Sequence, residues 1–142
     1  MKKQLLFFLA ITLFFACSSD DIDNNPNLPN VAVNETIFLN NPEYINLQVV
    51  GGYAYAQGGI SGIVIYHAST NFYVAFERSA PHLTPQACSR MTVEGGIIMK
   101  CSCDASEFSI LDGSPLTDGI KYAAKQYRVS IGSGNTLIIS NF

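Results

Sequence analysis

The chain has 142 residues, 48% hydrophobic and 13% charged, with four cysteines, nine Phe, seven Tyr and no Trp. That length allows one domain and argues against two. Without Lys2 and Lys3 at the start, six basic residues face eleven acidic ones, about −5 net; such a body, with no basic run, excludes a phosphate-reading nucleic-acid binder as the default. Four cysteines are too few for a disulfide scaffold, and their positions become the leading clue.

Lys2 and Lys3 are followed by a twelve-residue run from Leu5 to Ala16, broken only by Thr12, and then by Cys17. The run is well short of the roughly 20 residues a membrane-spanning helix needs, so residues 1–16 read as a secretory signal. Phe14-Phe15-Ala16-Cys17 resembles the bacterial lipoprotein signal, with Phe14 where Leu is usual. The resemblance implies that lipid on Cys17 anchors the mature protein to a membrane of the cell envelope, expected to be the outer membrane, facing the periplasm or the surface. The stretch Ser18 to Asp23, acidic through Asp20, Asp21 and Asp23, resembles that of exported lipoproteins of the Bacteroidetes type. Residues 17–30, poor in apolar groups and holding Pro26 and Pro29, read as a solvated tether. Outside the cytoplasm, one pair among Cys88, Cys101 and Cys103 is expected to be oxidised, with an odd thiol left over.

The remainder, residues 31–142, alternates short apolar runs with Gly, Pro, Asn and Asp. Strands are predicted at Thr36–Leu39, Ile45–Val50, Tyr53–Ala56, Ile63–Tyr66, Phe72–Phe76, Ile97–Lys100, Tyr127–Ile131 and Thr136–Ser140. Rich in Val, Ile, Tyr and Phe at short spacing, they predict an all-β antiparallel sandwich or barrel. Gly132-Ser133-Gly134-Asn135 reads as a hairpin loop, and residues 117–126 as an irregular turn. No helical stripe appears. The strand pattern breaks between Glu77 and Leu116, an insert where function is expected to sit.

Within that insert stand Ala80-Pro81-His82 and, after eighteen residues, Cys101-Ser102-Cys103-Asp104, continuing as Ala105-Ser106-Glu107-Phe108. Together with Gly58–Tyr66, Phe72–Arg78 and the closing Lys125–Val129, this arrangement resembles a Rieske iron–sulfur domain. That family carries C-x-H in one loop and, fifteen to twenty residues on, C-x-x-H followed by G-S-x-F. The resemblance covers residues 31–142 and implies an antiparallel Rieske-like fold with an inserted two-loop cluster-binding subdomain. A Rieske [2Fe–2S] centre holds one iron by two thiolates and the other by two imidazoles. Carried across, the four positions are Ala80, His82, Cys101 and Asp104, so only His82 and Cys101 retain ligand types. The Gly-Pro cover of the family corresponds to Asp118-Gly119, without the proline, and its Gly-Ser pair to Ala105-Ser106. Cys88 and Cys103 occupy places similar to the loop-bridging disulfide of some Rieske proteins; pairing of Cys88 with Cys101 is the competitor.

The expectation is therefore a Rieske-like domain without its cluster and with no cofactor, in a structural or binding role, presenting the loop tip from His82 to Asp104 to a protein partner. The rival is a [2Fe–2S] electron-transfer protein using His82, Cys101 and atypical ligands. A third reading is a thiol or zinc module at Cys101, with His82, Asp104 and one further thiol completing a tetrahedron. Ser106 and Ser109 have no local base partner, which argues against an enzyme with its own nucleophile. His67 reads as a surface residue. Gly58 to Gly62, with no following Lys-Ser or Lys-Thr, reads as a β-turn and not a phosphate cradle.

Overall fold

The computed structural model describes residues 25–141. The leader, Cys17 and the acidic run after it lie outside the described residues. The strands are β1 (Asn34–Phe38), β2 (Tyr53–Ala56), β3 (Ile63–Ser69), β4 (Phe72–Glu77), β5 (Thr92–Glu94), β6 (Ile98–Lys100), β7 (Glu107–Ser109), β8 (Gln126–Gly132) and β9 (Thr136–Ser140). They form a six-stranded sheet in the order β1-β9-β8-β4-β3-β2 and a three-stranded sheet β5-β6-β7. Every ladder is antiparallel, and the larger sheet curls into half a barrel. The β8–β9 hairpin closes through Gly134 and Asn135, both at positive φ, as expected of that loop.

β3 and β4 lie between two cores, which explains their run of apolar residues without alternation. Ile63 and Ile65 face one core with Ile37, Leu47, Leu137 and Ile139. Val64 and Tyr66 face the other, with Phe76, Met91, Met99, Phe108 and Ile110. Each fully buried side chain of this size contributes roughly 1.5–3 kcal/mol. The second core is what fixes the small sheet, and with it the insert, against the larger one.

Several local readings need correction. Ile45–Val50 is not a strand: Pro42–Gln48 is a 3-10 helix with Pro in its first turn. The fixed φ and missing N–H of Pro suit a helix start, and only Leu47 is buried while Ile45, Val49 and Val50 are exposed. β5 and β7 were not expected, since three residues are too few to show a period. His67 is not at the surface. β3 runs on past Tyr66, so His67 is buried and stacked on Tyr73 with ring centroids 4.2 Å apart. The end of the segment read as tether is also docked: Asn25 and Asn27 donate side-chain N–H bonds to the Pro81 carbonyl at 2.7 and 3.1 Å, and Leu28 is buried.

Candidate functional site

Two loops of the insert meet at one end of the molecule. The first leaves β4 and passes Ala80, Pro81 and His82 before Cys88. It is pinned at its base by the Ser79–Arg90 bridge, by Met91 N–H donating to the Arg78 carbonyl at 2.6 Å, and by Ala80 N–H donating to the Ser89 carbonyl at 2.8 Å. The second joins β6 to β7 through Cys101 to Ser106 and closes on itself where Cys101 N–H donates to the Ser106 carbonyl at 2.9 Å. Ala105 takes a left-handed conformation, φ 62°, to make that turn.

The fold brings the four motif positions to this junction. His82 Nε2 lies 2.7 Å from Asp104 Oδ2. Asp104 Oδ1 accepts the Ser106 hydroxyl at 2.7 Å and the Ser106 N–H at 3.1 Å. Partial burial pushes the Asp104 carboxyl up, but these bonds outweigh it and hold the group well below the usual carboxylate range. Cys88 and Cys103 form a disulfide across the loops, with Cα atoms 4.9 Å apart. Cys101 is the free thiol, buried, donating to the Cys88 carbonyl at 3.6 Å. Burial pushes that thiol up and the Asp104 charge adds to the effect, against the N–H of Cys103.

No protein-family model and no curated protein matches the chain by sequence. Solved structures do match. The plasma-membrane Rieske protein of the cyanobacterium Synechocystis aligns with a TM-score of 0.50 at 15% identity, over 61% of this chain and 84% of its own. The ferredoxin of carbazole 1,9a-dioxygenase from Nocardioides aromaticivorans aligns with a TM-score of 0.51 at 11% identity, over 80% of this chain and 100% of its own. The fold is Rieske-like. At these identities the likeness concerns the fold alone, and the chemistry has to be read from this chain's own residues.

In this Rieske-like fold the donor set does not fit a cluster of two thiolates and two imidazoles. Ala80 has no donor atom, and its side chain is packed in the second core beside Cys101. Asp104 is bonded to His82 across the two imidazole positions. Cys88 and Cys103 are joined to each other, so neither can stand in for the thiolate absent at Ala80, or complete a zinc tetrahedron with His82, Cys101 and Asp104. His82 Nδ1, buried without a partner, and the Cys101 thiol are the donors that remain. Among the described residues, no three His, Cys, Asp or Glu side chains converge as a metal-binding group. Asp118 and Gly119, the counterpart of the family's cover, are exposed, and a Cβ on Gly119 would meet nothing within 4 Å.

Two features escaped the sequence. Ser106, with no base beside it in the chain, is brought within 3.3 Å of His82 Nε2. Its proton goes to Asp104, however, and Asp104 meets the same ring nitrogen, so the three groups form a closed lock and not a relay that activates an oxygen. The second feature is Glu77, fully buried at the end of β4. Its carboxylate accepts N–H bonds from Ile60 at 2.7 Å and from Ser61 and Ser79 at 2.9 Å, and the Tyr127 hydroxyl at 2.7 Å. The Gly58–Gly62 turn thus cradles an anion, but an internal one. It fixes Ser79, and so the point from which the Ala80–His82 loop departs. The signal available was an acidic residue ending the apolar run Phe72–Phe76.

Proposed function

We propose that this chain is a cell-envelope lipoprotein, anchored by lipid on Cys17, whose Rieske-like domain has lost its [2Fe–2S] cluster and serves a structural or binding role. The observation that carries the reading is the 2.7 Å contact between His82 and Asp104. The residue at one imidazole position is hydrogen-bonded to the residue at the other, and the Cys88–Cys103 bridge ties the same two loops. Side-chain and covalent contacts therefore support the junction that a cluster would otherwise span. The tip between them, with Thr84, Gln86, Ala87, Ser102 and Asp104 exposed, is the surface offered to a protein partner.

The test is the visible spectrum and iron content of the full chain made in an iron-replete host. The expected result is a colourless, folded protein without stoichiometric iron. Charge-transfer bands with about two irons per chain, the content of a [2Fe–2S] centre, would overturn the reading in favour of electron transfer. Labelling with a radioactive fatty acid, present in the natural chain and abolished by Cys17→Ser, checks the anchor separately.

A further inference from the structure

We propose that a cavity between β2, the Gly58–Gly62 turn and the base of the first loop binds a small polar carboxylate, such as a sugar acid, through Arg78 and Arg90. The cavity is about 300 Å³ and is lined by Tyr55, Ala56, the segment Gln57–Gly62, Arg78 and Arg90. Ligand pockets are usually dominated by apolar side chains; a lining of peptide groups, Ser61 and guanidinium selects instead a small, hydrophilic, negatively charged ligand.

The arginines are placed for that task. Arg78 lies over the Tyr55 ring, its guanidinium carbon 3.8 Å from the centroid, and its Nε donates to the Met91 carbonyl at 3.0 Å. These contacts fix the plane of the guanidinium and leave its terminal nitrogens for a ligand, so little order is lost on binding. Arg90 is exposed, and among the described residues neither arginine has a salt bridge. Burial lowers the pKa of Arg78, and the Arg90 charge lowers it further, against Tyr55 and Glu77. A carboxylate between the two guanidinium groups would relieve that repulsion with charge-assisted bonds.

The nearby acids set the ligand's charge. Glu77 lies behind the turn with its oxygens engaged by N–H and O–H donors, and Glu35 lies against Gly58. Two carboxylates on the far side of the turn favour a monoanion over a doubly charged phosphate. The N–H groups of Ile60, Ser61 and Gly62 are spent inside the protein, so the Ser61 hydroxyl and the remaining carbonyls of the turn are what meet the ligand's hydroxyls.

The experiment follows the amide signals of Gly58 to Gly62 and the Nε–H signals of both arginines by NMR. The isotope-labelled mature chain, carrying Cys17→Ser, is titrated with glucuronate, acetate and inorganic phosphate at ionic strength held constant with chloride. Saturable shifts confined to these signals are expected, strongest with glucuronate. Arg90→Gln should weaken glucuronate binding roughly tenfold or more with the rest of the spectrum unchanged, and Arg90→Lys, which keeps the charge but not the fork, should fall between. Shifts that chloride reproduces, that fail to saturate, or that persist unchanged in Arg90→Gln would overturn the site. Tighter binding of phosphate than of glucuronate would overturn the carboxylate assignment. Because the cavity lies apart from the His82–Asp104 junction, iron in the purified chain would overturn the proposed function without touching this result.

Discussion

Ala105 carries a Cβ in a left-handed conformation, at the place where the resembled motif has glycine. For an L-residue other than glycine that conformation costs roughly 1–2 kcal/mol, partly offset because glycine has more unfolded-chain freedom to lose. Ala105→Gly is therefore expected to stabilise the protein by about 0.5–1 kcal/mol, seen as a higher urea midpoint. Asp104 makes a second prediction. Its carboxyl is held below the unfolded value, so its stabilisation is complete above about pH 4 and fades as the pH falls through the folded pKa. The side chain is 41% exposed, so solvent screens much of the effect. Asp104→Asn should cost about 0.5–1 kcal/mol at pH 7, with the gap from the natural chain starting to narrow below about pH 4 and closing only as the pH falls through the folded pKa; a gap independent of pH would show that the charge is not what matters.

At the scale of elements, covalent and packing contacts divide the support of the insert. The Cys88–Cys103 bridge joins positions 15 residues apart, worth roughly 3 kcal/mol in lost unfolded-chain entropy. Both cysteines have room for a hydroxyl, so Cys88→Ser with Cys103→Ser should lower the thermal midpoint by roughly 10–15 °C without changing the β-sheet signature in circular dichroism. The Gly58–Gly62 turn is less forgiving. A Cβ on Gly59 would lie 2.3 Å from Glu77 Oε2 and 2.7 Å from the Tyr127 hydroxyl, at φ +63°. Gly59→Ala should therefore cost about 3 kcal/mol or more by displacing a buried charge from its donors. Gly134→Ala is the control, with similar φ and nothing within 4 Å, and should cost only about 0.5–1 kcal/mol. Equal losses in a denaturation series would show backbone strain alone at work. Strands were legible where β-branched and aromatic side chains cluster, as at Ile63–Tyr66 in β3. They were not legible at β5 and β7, whose pairing with β6 determines them more than their own residues do.

Across the whole molecule, the donors that a Rieske-type centre needs come from two loops that only the packed sheets bring together. If those loops still have the required geometry, replacing Ala80 with Cys and Asp104 with His supplies the missing thiolate and imidazole together. The double variant A80C/D104H, made in an iron-replete host, is expected to acquire charge-transfer absorption and about two irons per chain. A folded but colourless double variant would mean that the loops themselves have closed. Either single replacement leaves one iron short of a ligand and should remain colourless.

The sequence by itself determined the all-β class, through β-branched runs cut by Gly and Asn, and the two-loop motif, through the order of Ala80, His82, Cys101 and Asp104. It also determined that Ala80 offers no ligand at the position where the resembled motif has a thiolate, because alanine has no donor in any conformation. The tertiary structure decided the rest. Cys88 pairs with Cys103 and leaves Cys101 in the core, His82 meets Asp104 across 22 positions, and Glu77 meets Tyr127 across 50. These contacts depend on where separate strands cross and on which face each loop buries. Local propensity carries neither, since both follow from covering the two sides of β3 and β4.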